Sequence, residues 1–119
     1  MINNPPKIRH YPALEGVDTA PMIAYLQDAA HAWYERRPSQ WFIARHFLGG
    51  ANFDWQSTPL QALNDIFNPT HYPARNAYAR HMASVVTGTL LLMALDSDRT
   101  HTFDTDNSDG YRRRYVWVN

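Results

Sequence analysis

The chain has 119 residues, a length that predicts one domain able to bury a core without disulfide bridges. Its residues are 45% hydrophobic, 13% aromatic and 18% charged, a composition that excludes an intrinsically disordered protein. The formal net charge is zero and cysteine is absent, which argues against a protein that coats nucleic acid and excludes thiolate chemistry.

The first residues predict no targeting segment. They contain no basic stretch followed by an apolar run, which a secretory signal would need. The longest apolar run of the chain is too short and too interrupted to cross a bilayer. We therefore expect a cytoplasmic protein without a membrane partner.

Residues 1–17 contain three prolines and one glycine and show no hydrophobic period. Two of these prolines are adjacent, which favours an extended polyproline conformation. The composition predicts an extended N-terminal arm over 1–17 that lies on a single globular domain formed by 18–119.

The first helix is predicted over residues 20–36. Its apolar residues recur at helical spacing and define one wide stripe of Met22, Leu26, Ala29 and Trp33, flanked by Ile23, Ala30 and Tyr34. Asp18 or Thr19 can cap its start, and Pro38 prevents its continuation. The polar residues between the apolar ones are expected to face solvent: Gln27, Asp28, His31 and Glu35.

Two shorter helices are predicted next. Residues 40–48 follow a capping serine, Ser39, and precede a pair of glycines that ends a helix. Phe42 and Ile43 make this helix apolar around more of its circumference than a surface helix needs, so it is either sandwiched or presents a binding face. The stretch Thr58–Gln61 matches a capping box and predicts the start of a third helix.

The most apolar stretch is predicted to form a central helix over residues 73–95, around which the other elements pack. In its last turns the polar face disappears, which indicates burial on all sides. Ala79, Ala83 and Gly88 are small enough to let a neighbouring helix approach closely. An alternative breaks the helix near Gly88 and makes 89–95 a buried strand, but the prevalence of Leu, Met and Ala favours the helix.

The hydrophobic period changes to two in residues 100–105 and again in 111–118, with turn residues at 107–110 between them. This pattern predicts a C-terminal β-hairpin. A lone hairpin is marginally stable in water, so it must pack on the helices, join a third strand or pair across a homodimer through the C-terminal strand. The predicted fold class is therefore α+β, with about four helices around the central helix 73–95 and a C-terminal β-hairpin.

The second strand of this hairpin interleaves aromatic residues with arginines. Three interpretations are open: a core strand whose arginines pair with aspartates, a protein interface, or a surface that holds single-stranded nucleic acid. The residues expected to contact a partner are Tyr111, Arg112, Arg113, Arg114, Tyr115, Trp117 and, from the short helix, Phe42.

Two arginine–histidine pairs form a candidate anion site if their helices face each other: Arg45, His46, Arg80 and His81. None of the six histidines is paired at the spacing of a helical zinc motif, and a zinc site would have to combine distant residues such as His46, His71 and His81. The acidic turn at 104–110 does not match the glycine and glutamate positions of a calcium loop. No metal and no cofactor are predicted.

The sequence contains no G-x-S-x-G elbow and no phosphate-binding loop, so enzymatic activity is the less favoured class. The leading hypothesis is a small non-enzymatic protein-binding domain that acts as an inhibitor, immunity protein or phage- or plasmid-type accessory factor through its arginine- and aromatic-rich surface. One alternative is a small enzyme or ligand-binding domain that uses the His/Arg cluster. A second is a nucleic-acid binder that uses the hairpin.

Overall fold

The computed structural model describes residues 1–48, 54–107 and 113–118. Within these ranges the chain forms four α-helices and three β-strands, in the following order: α1 (Ala20–Arg36), β1 (Phe42–Ile43), α2 (Arg45–Leu48), α3 (Gln61–Phe67), α4 (Asn76–Asp96), β2 (Phe103–Asp106) and β3 (Arg114–Trp117). The strands form one antiparallel sheet. This architecture confirms the predicted α+β class.

Helix α4 is the central element, as predicted. It packs against both α1 and α3. Its last turns are buried around most of their circumference, as predicted: Val86, Thr87, Leu90, Leu91, Leu92, Ala94 and Leu95. The strand alternative for 89–95 is wrong, because these residues continue the helix to Asp96. The helix begins at Asn76, since Pro73–Arg75 form a separate 3-10 turn before it. None of the helices in the described ranges is long and apolar enough to cross a membrane.

Helix α1 has the predicted bounds, and the Asp18 carboxylate accepts a hydrogen bond of 3.1 Å from the Ala20 N–H at its start. In its second half the buried stripe is centred one residue farther along than predicted, on residues expected at its flank, because β2 and β3 cover the Tyr34 ring. Its buried residues are Met22, Leu26, Ala30 and Tyr34. The same shift brings His31 Nε2 to 2.8 Å from Asp98 Oδ2. The expectation that His31 faces solvent is therefore wrong.

The prediction of a helix over 40–48 is wrong for the first half of that range. Phe42 and Ile43 form strand β1, in which Phe42 is opposite Tyr115 and Ile43 is opposite Arg114. An aromatic and a β-branched residue suit a strand better than a helix, and pairing with β3 satisfies their backbone groups. Phe42 has no exposed surface, so this segment is sandwiched rather than presented. The glycines predicted to end the helix lie outside the described residues.

Helix α3 begins three residues after the predicted capping threonine. The Thr58 hydroxyl accepts a hydrogen bond of 3.2 Å from the Leu60 N–H. The Gln61 side chain donates to Asp65 at 3.1 Å instead of reaching back, so the reciprocal half of the predicted capping box does not form. Leu60 and Leu63 are fully buried and fix α3 in the core.

The sheet has the strand order β1-β3-β2, so the C-terminal strand is its centre. Asp106 is opposite Arg114, whose Nε and Nη2 atoms donate to the carboxylate at 2.6 and 3.0 Å. The interpretation as a core strand with ion pairs is thus confirmed for Arg114. Pairing of two copies through β3 would require β1 to leave the sheet, so the homodimer prediction is not supported. Most of the predicted turn, residues 108–110, lies outside the described residues.

The N-terminal arm extends this sheet and then crosses toward α4. Ile2 forms a parallel bridge with Phe103, the first residue of β2, and the Ile2 side chain is buried. Farther along, Pro12–Leu14 form a 3-10 turn. Just before that turn, the Tyr11 hydroxyl lies 3.4 Å from the Thr89 hydroxyl of α4. The arm therefore lies beside the part of α4 that carries Thr89.

Candidate functional site

A cleft with a volume of about 1070 Å³ runs along one side of α4, and we call it the α4 cleft. Its floor is a row of α4 residues at helical spacing: Ala77, Arg80, His81, Ser84, Val85, Gly88, Thr89 and Leu92. Four other segments supply its walls: Pro6, Lys7 and Arg9; Ile43–Arg45; Trp55; and Arg113 with Tyr115. Between the first and last floor residues the helix rises about 22 Å, at 1.5 Å per residue.

The floor contains apolar side chains that the core does not cover. Residues three or four apart share one side of a helix, and all floor residues except Leu92 fall between the buried ones. Val85 is 38% exposed, although it is a branched apolar residue in the most apolar helix of the chain. Ile43 and Trp55 add further apolar surface to the cleft, whereas Leu92 borders it but belongs to the buried core. A ligand that fits it would therefore carry apolar groups.

The α4 cleft also concentrates positive charge. Five of the chain's 11 lysine and arginine residues line it, together with His81: Lys7, Arg9, Arg45, Arg80 and Arg113. None of the described residues that line it is an aspartate or a glutamate. The ion pairs in the described ranges involve other cationic groups: His10, His31, His101 and Arg114. Charges of one sign in a walled cleft reinforce one another's field and attract anions.

Gly88 widens the middle of the floor. A Cβ atom added there would meet no heavy atom within 4 Å. The expectation that Gly88 lets a neighbouring helix approach is therefore wrong, because the glycine borders the open cleft. Ala83, by contrast, has no exposed surface and lies on the packed side of the helix. Glycine costs about 1 kcal/mol relative to alanine inside a helix, and packing does not require it here.

The structure brings together three of the four residues of the predicted anion site: Arg45, Arg80 and His81 all line the cleft. His46 does not join them. Its Nδ1 atom accepts a hydrogen bond of 3.2 Å from the Ile43 N–H, and its ring stacks on Trp33 with centroids 4.7 Å apart. Burial, and secondarily the charge of Arg37, lowers the pKa of His46. A neutral ring agrees with its role as an acceptor.

The residues predicted for the hairpin surface have different positions. Arg113 and Tyr115 line the α4 cleft. Arg114 is bound to Asp106, and its guanidinium carbon lies 4.1 Å from the centre of the Trp41 ring. The remaining described members are turned inward: Trp117 stacks on Tyr34 and Phe42 has no exposed surface. Tyr111 and Arg112 lie outside the described residues.

Tyr115 closes the cleft from the sheet side. Its side chain is only 2% exposed. Burial raises the pKa of its hydroxyl, and the charge of Arg113 offsets this in part. The hydroxyl therefore stays protonated at neutral pH and can donate a hydrogen bond. Arg113 itself is held at the cleft by a hydrogen bond of 3.3 Å from Nη1 to the Thr105 hydroxyl.

Lys7, Arg9 and Trp55 are residues of the cleft that sequence reasoning missed. The arm and the segment before α3 have no hydrophobic period, so the sequence does not indicate where they lie. Their only signal is residue type: Lys7 is the single lysine of the chain and precedes Arg9 by two residues, and Trp55 is an aromatic residue in a predicted loop.

One group of described side chains could share a metal ion, and it lies outside the cleft: His31, Asp98 and His101. The combination of His46, His71 and His81 does not form. His46 stacks on Trp33, His81 lines the α4 cleft, and His71 lines a separate polar cavity of about 430 Å³.

No protein-family model, no curated protein and no solved structure matches the chain. We therefore infer function from the geometry and charge of the α4 cleft. Its guanidinium groups can donate paired hydrogen bonds to carboxylates, while its floor can bury apolar side chains.

Proposed function

We propose that the protein is a small, non-enzymatic binding domain whose α4 cleft takes an acidic, partly apolar segment of a partner protein. The observation that carries this proposal is the presence of five lysine and arginine side chains around one cleft, without a carboxylate among its described lining residues. The chain has as many acidic as basic residues, so the charge of the cleft arises because its cations are separated from the aspartates and glutamates.

The shape of the cleft favours an extended segment over a small anion. Its length of about 22 Å matches six or seven residues of extended chain, which rises about 3.3 Å per residue. A single phosphate or carboxylate would occupy a small part of the 1070 Å³. Apolar groups such as Val85 and cationic groups such as Arg80 line the same cleft, which suits a peptide that carries both apolar and acidic side chains.

A protein segment is also favoured over single-stranded nucleic acid. Bases are held by stacking on exposed aromatic rings. On β3, however, the Tyr115 ring is buried and the Trp117 ring is stacked on Tyr34 at 5.1 Å. The guanidinium of Arg114 is likewise committed to Asp106. These contacts leave the strand with few groups that could bind a base.

Covering an acidic segment of a target is how such a domain would act as an inhibitor, immunity protein or accessory factor. The cations would steer the partner to the cleft, and the apolar floor would hold it. The cytoplasmic location predicted from the sequence is part of this proposal.

The test uses a fluorescent eight-residue peptide in which glutamate alternates with leucine. Anisotropy at low salt measures its dissociation constant. The variant Arg45→Gln/Arg80→Gln should bind the peptide at least tenfold more weakly, about 1.4 kcal/mol, because two charge-assisted interactions are lost. Both side chains are exposed, so the fold should not change.

The control variant Arg36→Gln/Arg99→Gln removes the same charge from exposed positions that do not line the cleft. It should bind the peptide like the wild type. Equal weakening in both double variants would attribute the effect to net charge and contradict the proposal. Tighter binding of an oligothymidylate than of the peptide would favour the nucleic-acid alternative instead.

A further inference from the structure

Two histidines and an aspartate meet where α1 faces the turn after α4. His31 projects from α1, and Asp98 and His101 follow α4. Asp98 Oδ2 lies 2.8 Å from His31 Nε2 and 3.3 Å from His101 Nδ1. The three potential ligand atoms all lie within 4.8 Å of one another. We call this group the His–Asp–His cluster.

The two oxygens of the Asp98 carboxylate have different partners. The side chain is 5% exposed. Oδ1 accepts hydrogen bonds from the Thr100 N–H at 2.9 Å and from the Thr100 hydroxyl at 2.8 Å. Oδ2 faces the two imidazole rings. Thr100 therefore orients the carboxylate so that one oxygen is presented to both histidines.

Asp98 is ionised in this position. Burial alone would raise its pKa, but the hydrogen bonds with His31 and Thr100 outweigh burial and hold the pKa of Asp98 well below its ordinary value. The Thr100 hydroxyl also lies 2.7 Å from His101 Nδ1. The cluster thus contains one buried anion and two nitrogen donors or acceptors at close range.

Tyr34 provides a second, independent observation. Its side chain is 2% exposed, and its hydroxyl has no hydrogen-bond partner within the described structure. The ring centroid lies 5.3 Å from that of His31 and 5.0 Å from that of His101. Buried polar groups are normally partnered. An unpartnered buried hydroxyl on a ring that packs against both imidazoles points to a polar ligand at the cluster.

We propose that His31, Asp98 and His101 bind Zn²⁺. Two imidazole nitrogens and one carboxylate oxygen are a donor set that zinc prefers, whereas Ca²⁺ and Mg²⁺ prefer oxygen ligands. Ligand atoms around a tetrahedral zinc ion are roughly 3.3 Å apart. The Asp98–His101 separation already has this value, and the Asp98–His31 separation needs to open by about 0.5 Å.

Zinc at this position would fasten α1 to the turn after α4, and water would take the remaining coordination position. The ion can enter, because the side chains of His31 and His101 are 33% and 26% exposed. Thr100 acts as a positioning residue, since it holds the carboxylate through Oδ1, and its hydroxyl would release His101 Nδ1 when that nitrogen binds the ion. The site does not depend on the proposed function, because none of its ligands lines the α4 cleft.

The test begins with protein stripped by EDTA and dialysed. Zn²⁺ is titrated in competition with a chromophoric chelator, and the visible absorption of Co²⁺ in place of Zn²⁺ reports the ligand set. We expect one equivalent of each metal to bind, while Ca²⁺ and Mg²⁺ do not compete. At a Zn²⁺ concentration about 100 times the dissociation constant, Tm should rise on the order of 10 °C.

His31→Gln and His101→Asn keep a polar group near the lost nitrogen and preserve the hydrogen bonds of the cluster. Each should weaken Zn²⁺ binding by at least about 100-fold and change the Co²⁺ spectrum, while Thr100→Val should weaken binding about 10- to 100-fold. His10→Gln and His81→Gln, outside the cluster, should bind like the wild type.

Zn²⁺ affinity and a Co²⁺ spectrum that are unchanged in the double variant His31→Gln/His101→Asn would overturn the site. The absence of stoichiometric binding to folded wild-type protein would overturn it as well, and would leave the cluster as a hydrogen-bonded network. Circular dichroism confirms at the temperature of each titration that the variant is folded. Failure here is distinguishable from failure of the cleft, because EDTA should not alter binding of the acidic peptide.

Discussion

The two long sides of helix α4 have opposite surroundings. On the packed side, Ala83, Leu91 and Leu95 have no exposed surface. On the cleft side, Val85 is 38% exposed, and a Cβ atom at Gly88 would meet nothing within 4 Å. The packed side is almost entirely apolar, whereas the cleft side mixes apolar residues such as Val85 with polar and cationic ones such as Ser84 and Arg80. The neighbours differ as well, because five lysine and arginine side chains line the cleft side. Substitutions on the packed side should therefore reduce stability, and those on the cleft side should reduce binding.

The largest expected effect on stability is at Asp98, which is buried in the turn that follows α4. Asp98→Asn removes the charge that His31 and Thr100 stabilise, and it should lower the free energy of unfolding by about 2–4 kcal/mol. Urea denaturation in EDTA measures this value. Asp28→Asn, on the exposed surface of α1, should stay within about 0.5 kcal/mol of the wild type. Similar losses in both variants would contradict the partnered role of Asp98.

The comparison is tested most sharply by adding one side chain to each side of α4. Ala83→Leu should overpack the core and lower the free energy of unfolding by about 1–3 kcal/mol. Gly88→Leu should be neutral or slightly stabilising and should weaken acidic-peptide binding by at least about tenfold, because leucine fills the cleft. Thermal melts and anisotropy give the two readouts. A destabilised Gly88→Leu protein would show that this side is packed rather than open.

Adjacent arginines on the sheet allow a similar contrast. Arg114 forms two hydrogen bonds with Asp106 and stacks on Trp41. Arg114→Lys should therefore cost about 1 kcal/mol in the free energy of unfolding, since lysine cannot pair bidentately or stack as well. Arg113→Lys should leave the free energy of unfolding unchanged. It should also weaken peptide binding less than Arg113→Gln does, because lysine keeps the positive charge. The prediction fails if Arg113→Lys is the more destabilised of the two lysine variants.

The smallest expected effect concerns pH. Because the pKa of His46 lies below its ordinary value, the neutral ring contributes stability above about pH 6.5, and this contribution is lost as the pH falls through the lowered pKa. His46→Asn keeps an acceptor for the Ile43 N–H but cannot titrate. Between pH 7.5 and pH 5, the wild type should lose slightly more stability than this variant in urea melts. His81→Asn, which alters the cleft side, should follow the wild type.

The parts of the fold that local sequence determines were predictable. Helix α1 has the bounds that its capping residue and apolar period indicate, and α4 was predicted by length and by its Leu, Met and Ala content. Strand β1 was not predictable. Two residues are too few to show a hydrophobic period, and they form a strand because they pair with β3, which is far away in the sequence. The same dependence on a distant partner explains the one-residue shift of the α1 stripe.

The candidate site was predictable only in part, for a related reason. Arg45, Arg80 and His81 were grouped because arginine–histidine pairs stand out in the sequence. Lys7 and Arg9 lie on an arm whose course has no sequence signal. The His–Asp–His cluster combines residues 67 positions apart, which only the packing of α1 on α4 brings together.

The most direct test of the α4 cleft is a chemical-shift titration of the ¹⁵N-labelled protein with the alternating Glu-Leu peptide. We expect the amide signals of Arg80, Ser84, Gly88 and Thr89 to move in a saturable way, and those on the packed side of α4 to stay in place. Raising the salt concentration from 0.05 to 0.5 M should shift the midpoint to higher peptide concentration. Shifts confined to residues outside the cleft, or no saturable shift along α4, would contradict the proposal that the cleft binds an acidic segment.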